Sequence, residues 1–379
     1  MPVHQAAMSR PFDPFHAAGR RSCGIFRIGC ENLPSQFDGA AVLWRKSVGV
    51  MLRRLAIGLR IRSSIMNSIP SVLCPIDFSD SSRGALRYAN AIAVHFGAPL
   101  RLLVVNDPLL LEASVIAAAG AGLAEDTIRE MQRFFKQAAG SRPAADVQFE
   151  VATGKPAPEI LRVSRERRSG LIVMASHGLS GFRKLFFGST TERVLRETTV
   201  PTLVTTGTDA GPVDFEEARK SVRRVLVPVD LTAATVHQVE IARQVAQTLS
   251  VPLLLAHVIE PVRSLSAHPA LPTVETERRY RAEAELERLT SDAPDGATPE
   301  ALIAYGEPAE EIAKVADDRG AGLIVMGLHS SPLLGPRMGS VTYRVLCLAH
   351  RLVLGLPPQV EPARQDEQVD PAARVAPIG

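Results

Sequence analysis

The chain has 379 residues, 46% hydrophobic and 22% charged, with four cysteines and one tryptophan. Its length and apolar content suit two to three globular domains of about 150 residues and exclude wholesale disorder, and no run approaches the ~18–20 apolar residues of a membrane span. The net charge of +3 divides into +7 over residues 1–66 and −4 over the rest, which excludes a body built to neutralise nucleic-acid phosphates.

Residues 1–66 mix Pro, Gly and scattered Phe with no sustained period until 48–65, where apolar residues alternate loosely with Arg53, Arg54, Arg60 and Arg62. A basic amphipathic or targeting segment is one reading. A disordered tail, or upstream sequence ahead of a natural start at Met66, is the expected one. From residue 71 the pattern becomes regular. The spacing predicts a strand over 72–76, a helix over 85–96 with Ser79 and Asp80 where an N-cap is wanted, and a strand over 100–105. Further on it predicts a helix over 125–139, a strand over 147–151, a helix over 158–167 opened by proline, and a buried strand over 171–175. A Gly-rich loop, a helix over 190–197 and a strand over 200–205 complete the set. Strand and helix alternate throughout, which calls for parallel strands with helices on both faces.

The order then repeats, with strands expected over 223–229, 252–258, 301–305, 323–327 and 352–354. Helices are expected between them over 236–249, 274–289 and 308–318, and from residue 341. Asp77 and Asp230 lie 153 apart, Met174 and Met326 152, His177 and His329 152, Ser189 and Ser340 151. Constant offsets across separate elements mean duplication. The expected fold is α/β: two tandem, doubly wound, five-stranded parallel sheets, Rossmann-like, packed against each other. The expected domains are 67–207 and 222–357, with a Gly/Asp/Glu-rich linker over 208–221 and a disordered Pro-rich tail over 358–379. Cys23, Cys30, Cys74 and Cys347 form no CxxC pair, so neither a zinc nor a redox motif is written. The expectation is a soluble cytoplasmic protein.

In doubly wound sheets ligands sit beyond the strand carboxyl ends, where strand order reverses. Two features fall there in the first repeat: Pro75-Ile76-Asp77, and Met174-Ala175-Ser176-His177-Gly178 followed, after nine residues, by Gly188-Ser189-Thr190 opening a helix. Glycines permit close backbone approach, and a helix N-terminus offers N–H groups and a positive dipole end to phosphates. Ser189 and Thr190 hydroxyls can donate to the same oxygens. Asp77 suits a ribose hydroxyl or a magnesium ion. The pattern points to a nucleotide.

The run IVMASHGLSGFRKLFFGSTTERVL, with the opening LCPIDFSDSSRGALRYA, resembles the universal stress protein family, whose ATP-binding members carry Gly-x-x-Gly, nine residues, then Gly-(Ser/Thr). The resemblance covers about 69–206 and again 223–356, as in a tandem-domain member. By position it implies that Pro75 and Asp77 border an adenine nucleotide and that Val105 contacts the adenine. It also implies that Met174, Gly178, Gly188, Ser189 and Thr190 line the phosphate side. The implied cofactor is ATP, with or without magnesium. The sequence departs from the pattern at Ala175, which stands where the first motif glycine is expected. The second repeat keeps Pro228, Asp230, Gly327, Gly339 and Ser340, but Ser330 replaces a glycine, and the next gap has eight residues with Pro332 and Pro336 in it. That loop is not expected to wrap a triphosphate in the usual way, so the second site reads as degenerate.

His177 and His329 read as loop-shaping residues, since no nucleophile with an acidic partner surrounds them. Cys74 reads as a small buried hydrophobe, Arg183 and Lys184 as loop charges or phosphate contacts, and 275–288 as a solvent-facing helix with i,i+4 pairs. The expected function is a stress-response regulator that couples ATP occupancy to an unknown protein partner or to dimer geometry, the repeats pairing within one chain or across a homodimer. A slow ATP hydrolase and a nucleotide-free interaction module are the alternatives. No G-x-x-x-x-G-K-[ST] loop and no evident general base are present, so catalytic residues are not assigned.

Overall fold

The apolar runs VLCP and LIVMA, and their counterparts VLVP and LIVMG, become central strands buried over nearly their whole length, as parallel strands covered by helices require. The computed structural model describes residues 69–106, 108, 123–140, 142–176, 188–207, 210–261, 272–291, 298–328 and 338–358. All belong to one unit, Ile61–Gly379. Segment 1–66, the tail beyond 358, and the loops holding His177, Gly178, Arg183, Lys184, His329, Ser330, Pro332 and Pro336 lie outside the described residues.

The first repeat runs β1 (Val72–Pro75), α1 (Asp80–Phe96), β2 (Leu100–Asn106), α2 (Leu123–Ala139), β3 (Val147–Thr153), α3 (Pro156–Glu166), β4 (Leu171–Ala175), α4 (Ser189–Glu197), β5 (Thr202–Thr205). After α5 (Phe215–Ser221) the second runs β6 (Val225–Pro228), α6 (Ala233–Leu249), β7 (Leu253–Ile259), α7 (Pro272–Ser291), β8 (Glu300–Tyr305), α8 (Pro308–Asp318), β9 (Leu323–Gly327), α9 (Ser340–Leu348), β10 (Leu352–Leu356). Local signals set the boundaries. The Ser79 hydroxyl accepts the Ser82 N–H at 3.1 Å to open α1, and Gly97 closes it at φ 61°, a conformation that favours glycine. Among the described residues no helix is long and apolar enough to cross a membrane.

The strands form a single sheet in the order β3-β2-β1-β4-β5-β10-β9-β6-β7-β8. Within each repeat all pairing is parallel. The repeats are joined edge to edge rather than face to face: β5 and β10 pair antiparallel, with Val204 opposite Val353 and Leu203 opposite Leu354. On one side of the sheet, α1, α2, α5, α6 and α7 share one continuous core that spans both repeats, from Val72 and Leu102 through Leu203 to Val225 and Leu255. On the other side each repeat keeps its own cluster under α3 and α4 or under α8 and α9. Leu195 of α4 and Val204 of β5 nevertheless belong to the second repeat's cluster.

The link between repeats, to which the sequence assigned no element, is a strap along α1. Ser81 Oγ donates to Gly207 O at 2.9 Å, Arg87 donates to Ala210 O at 3.0 Å, and the Phe215 ring stacks on His95 at 3.6 Å. Gly211 sits at φ 76°, where a Cβ would lie 2.5 Å from Gly84 O, so this crossing takes only glycine.

Candidate functional site

Strand order reverses between β1 and β4 in the first repeat and between β6 and β9 in the second, so each has a switch point at its strand carboxyl ends. The two ends are built alike. Pro75 closes β1, and Asp77 follows in the turn before α1. Its Oδ1 accepts the Ser79 N–H at 3.1 Å and the Ser79 hydroxyl at 2.6 Å. Asp230 repeats the arrangement, with Oδ1 accepting from Thr232 N at 3.0 Å, Thr232 Oγ1 at 2.8 Å and Thr235 Oγ1 at 2.9 Å. The residue after Pro-x-Asp takes positive φ in both: Phe78 at 63° and Leu231 at 59°. A bulky residue there costs energy, and such strain collects at functional sites.

The other edge of each switch point is stitched as regularly. Ser176 N–H donates to Thr205 O at 2.9 Å, Gly188 N–H to Ser176 O at 2.9 Å, and Thr191 Oγ1 to Ala175 O at 2.9 Å. Leu328, Gly339 and Thr342 repeat these bonds to Leu356, Leu328 and Gly327 at 2.8, 3.0 and 3.0 Å. Gly188 thus lands beside the end of β4 as the N-cap of α4, and no side chain among the described residues caps that helix. Glu192 N–H to Gly188 O, at 2.9 Å, is the first bond inside it. The amides of Ser189, Thr190 and Thr191 precede it, with an exposed Ser189 and a half-buried Thr190 at the mouth.

Six of the eight expected residues lie around this switch point, and Val105 lies one strand away. Pro75 and Asp77 border it from β1; Gly188, Ser189 and Thr190 border it from α4. Met174, 5% exposed, packs with Leu73, Leu103 and Val194, and the half-buried Val105 packs on that same cluster, so both lie on the α4 side of the sheet. Gly178 lies outside the described residues. Asp77 differs from expectation in one respect: its Oδ1 already holds the turn that starts α1. Cys74 is fully buried in β1, and burial pushes its thiol pKa far up, as expected of an inert core residue. Among the described residues no group of three or more His, Cys, Asp or Glu is placed to hold a metal ion.

The two switch points differ underneath. In the second, Gln238 of α6 donates its side-chain amide to Pro228 O at 2.8 Å and Val325 O at 3.0 Å, joining the ends of β6 and β9. The 153-residue offset that relates Asp77 to Asp230 relates Gln238 to Ala85, which is buried and carries no donor. At the end of β5 the buried Thr205 hydroxyl has no hydrogen-bond partner, where β10 has Leu356. Sequence reasoning missed Gln238. The offset could have found it, because it exposes a polar residue on the sheet-facing side of α6. The helices α4 and α9 share the second repeat's cluster through Leu195, Val345 and Leu346, and burial raises the pKa of Tyr343 on α9, with Cys347 and the Glu192 carboxylate of α4 raising it further.

Comparison with known proteins agrees on kinship. The sequence model described as Universal stress protein family matches residues 69–206 and 221–354. A universal stress protein of Methanocaldococcus jannaschii is 26% identical over 163 residues, 40% of this chain and 96% of the relative. Universal stress protein YxiE of Bacillus subtilis is 32% identical over 146 residues, 35% of this chain and 96% of the relative. Among solved structures, a universal stress protein from Archaeoglobus fulgidus matches with TM-score 0.53 at 20% identity, over 76% of this chain and 98% of that one. A functionally unknown protein of Pseudomonas aeruginosa matches with TM-score 0.52 at 19% identity, over 77% and 94%. At such identities the structures speak to fold alone, and they share it across both repeats.

Proposed function

Since this chain belongs to the universal stress protein family, we propose that its first repeat binds ATP, with or without magnesium, at the switch point between β1 and β4. The protein is then a cytoplasmic stress-response regulator that couples nucleotide occupancy to a protein partner or to its assembly state. The observation that carries this reading is the uncapped start of α4 at Gly188, pinned to Ser176 beside the ends of β1 and β4. First-turn amides without a capping side chain, at the positive end of a helix dipole, are what phosphate oxygens use. Ser189 and Thr190 add hydroxyl donors. Pro75, Asp77 and Val105 would border the ribose and adenine, with Met174, Gly178 and Gly188 on the phosphate side. ATP when bound supplies a charged polyphosphate, and the residues named here bind and orient it.

Calorimetric titration with Mg-ATP tests the reading. Gly188 has φ −62° and ψ 131°, and Gly339 has φ −58° and ψ 142°, backbone values that valine adopts readily. Gly188→Val should therefore fold normally and lose most binding, because a branched side chain stands where the backbone must meet phosphate. Gly339→Val should change affinity little. Unchanged affinity in Gly188→Val, or loss confined to Gly339→Val, would overturn the assignment.

A further inference from the structure

The ladders between β1 and β4 and between β6 and β9 stop at the same place. Each has two registered pairs, Val72↔Leu171 and Leu73↔Ile172 in the first repeat, Val225↔Leu323 and Leu226↔Ile324 in the second. Beyond them the strands part, which is what opens a switch point. The peptide units lining the gap can be identified. Ile76 N–H donates to Leu103 O on β2, so the Pro75 carbonyl, on the other side of the same trans peptide, turns toward β4. Ile172 and Ser176 N–H groups donate toward β5, so by the two-residue alternation of a strand the Val173 carbonyl turns toward β1. The corresponding carbonyls of the second repeat, those of Pro228 and Val325, are the two that Gln238 holds.

We propose that Gln238 is an internal substitute for ligand in the second repeat. Its amide ties the parted strand ends together, so the second half holds their spacing with nothing bound, and the chain takes one nucleotide, in the first half, where Ala85 places no donor in the same gap. Two N–H donors on one rigid carboxamide suit two carbonyls facing each other across a gap, and each bond is made at ordinary length. Gln238 is thus a positioning residue that decides which half responds to ligand. The inference rests on the ATP reading above for its first-half arm only.

Amide hydrogen exchange on the full chain, with and without saturating Mg-ATP, tests it. The probes are the N–H groups of the clamped peptide units, Val229 and Met326, and of their counterparts, Ile76 and Met174. In the native protein Mg-ATP should slow exchange at Ile76 and Met174 and leave Val229 and Met326 unchanged. Gln238→Met, which keeps length and bulk but loses both donors, should speed exchange at Val229 and Met326 about tenfold, the factor for roughly one hydrogen bond's net contribution, and leave Ile76 and Met174 unaltered. If Gln238→Met fails to fold, the native arm still decides. Equal protection of both halves by Mg-ATP overturns the proposal, as does unaltered exchange in Gln238→Met. If Mg-ATP protects neither half while Gln238→Met shows the tenfold change, the ATP reading fails and the clamp stands.

Discussion

One oxygen of Asp77 receives two hydrogen bonds from Ser79, and Ser79 in turn caps α1. Removing the carboxylate therefore removes a turn as well as any contact to ligand. Asp77→Ala should lower unfolding stability by about 1–2 kcal/mol, in the range of a lost cap or an unsatisfied group, read by urea denaturation. Asp77→Asn keeps an oxygen acceptor and should stay within about 0.5 kcal/mol of the native chain. If Asp77→Asn nevertheless binds Mg-ATP poorly, the charge serves the ligand; if it binds normally, the residue serves the turn. The sequence singled out this residue because Pro-x-Asp ends an apolar run. It could not say which oxygen would be occupied, since that depends on the positive φ of Phe78.

At the scale of elements, most strands and helices were legible because each is an apolar run or a 3.6-period stripe ended by Gly, Pro or an acid. The linker helix α5 was not. Its residues FEEARKS hold one large apolar side chain, and the helix exists because Asp214 accepts the Glu217 N–H at 2.9 Å and Phe215 finds His95 and Phe96. That docking leaves a titration signature. Burial holds the His95 pKa below its usual 6.5, with Glu216 partly opposing, and burial does the same to His237, with Glu240 opposing. An imidazole with a lowered folded pKa takes up its proton more readily when unfolded. Its contribution is therefore intact above about pH 6.5 and is lost as pH falls through that value toward the lower folded pKa. The melting temperature should fall between pH 7 and pH 5.5, and the fall should be smaller in His95→Gln. A melting curve insensitive to pH over that interval would count against the docked linker.

The whole molecule behaves as more than two copies of one domain. The core under α1, α2, α6 and α7 is continuous across the repeats, and Leu195 of the first repeat is fully buried in the second repeat's cluster. Calorimetric unfolding should accordingly show one cooperative transition; two resolved transitions would mean that the seam is weaker than either half. This joining was the least legible feature. The strands β5 and β10 are both short and apolar, and nothing in TLVT or LVLGL states which edge each will meet. Duplication was visible in the offsets, whereas the seam depends on how two finished sheets fit.

The antiparallel seam also sets a direction. Every strand of the first repeat runs opposite to every strand of the second, so the two switch points open at opposite rims of the sheet, offset by about one strand length along the strands and by about four strand spacings, roughly 20 Å, across them. The sheet therefore has unlike rims: one carries the mouth at Gly188, the other the mouth that Gln238 bridges. If the first mouth takes nucleotide as proposed, a partner seated on that rim would read its occupancy, while the rim of Gln238 would present the same surface throughout.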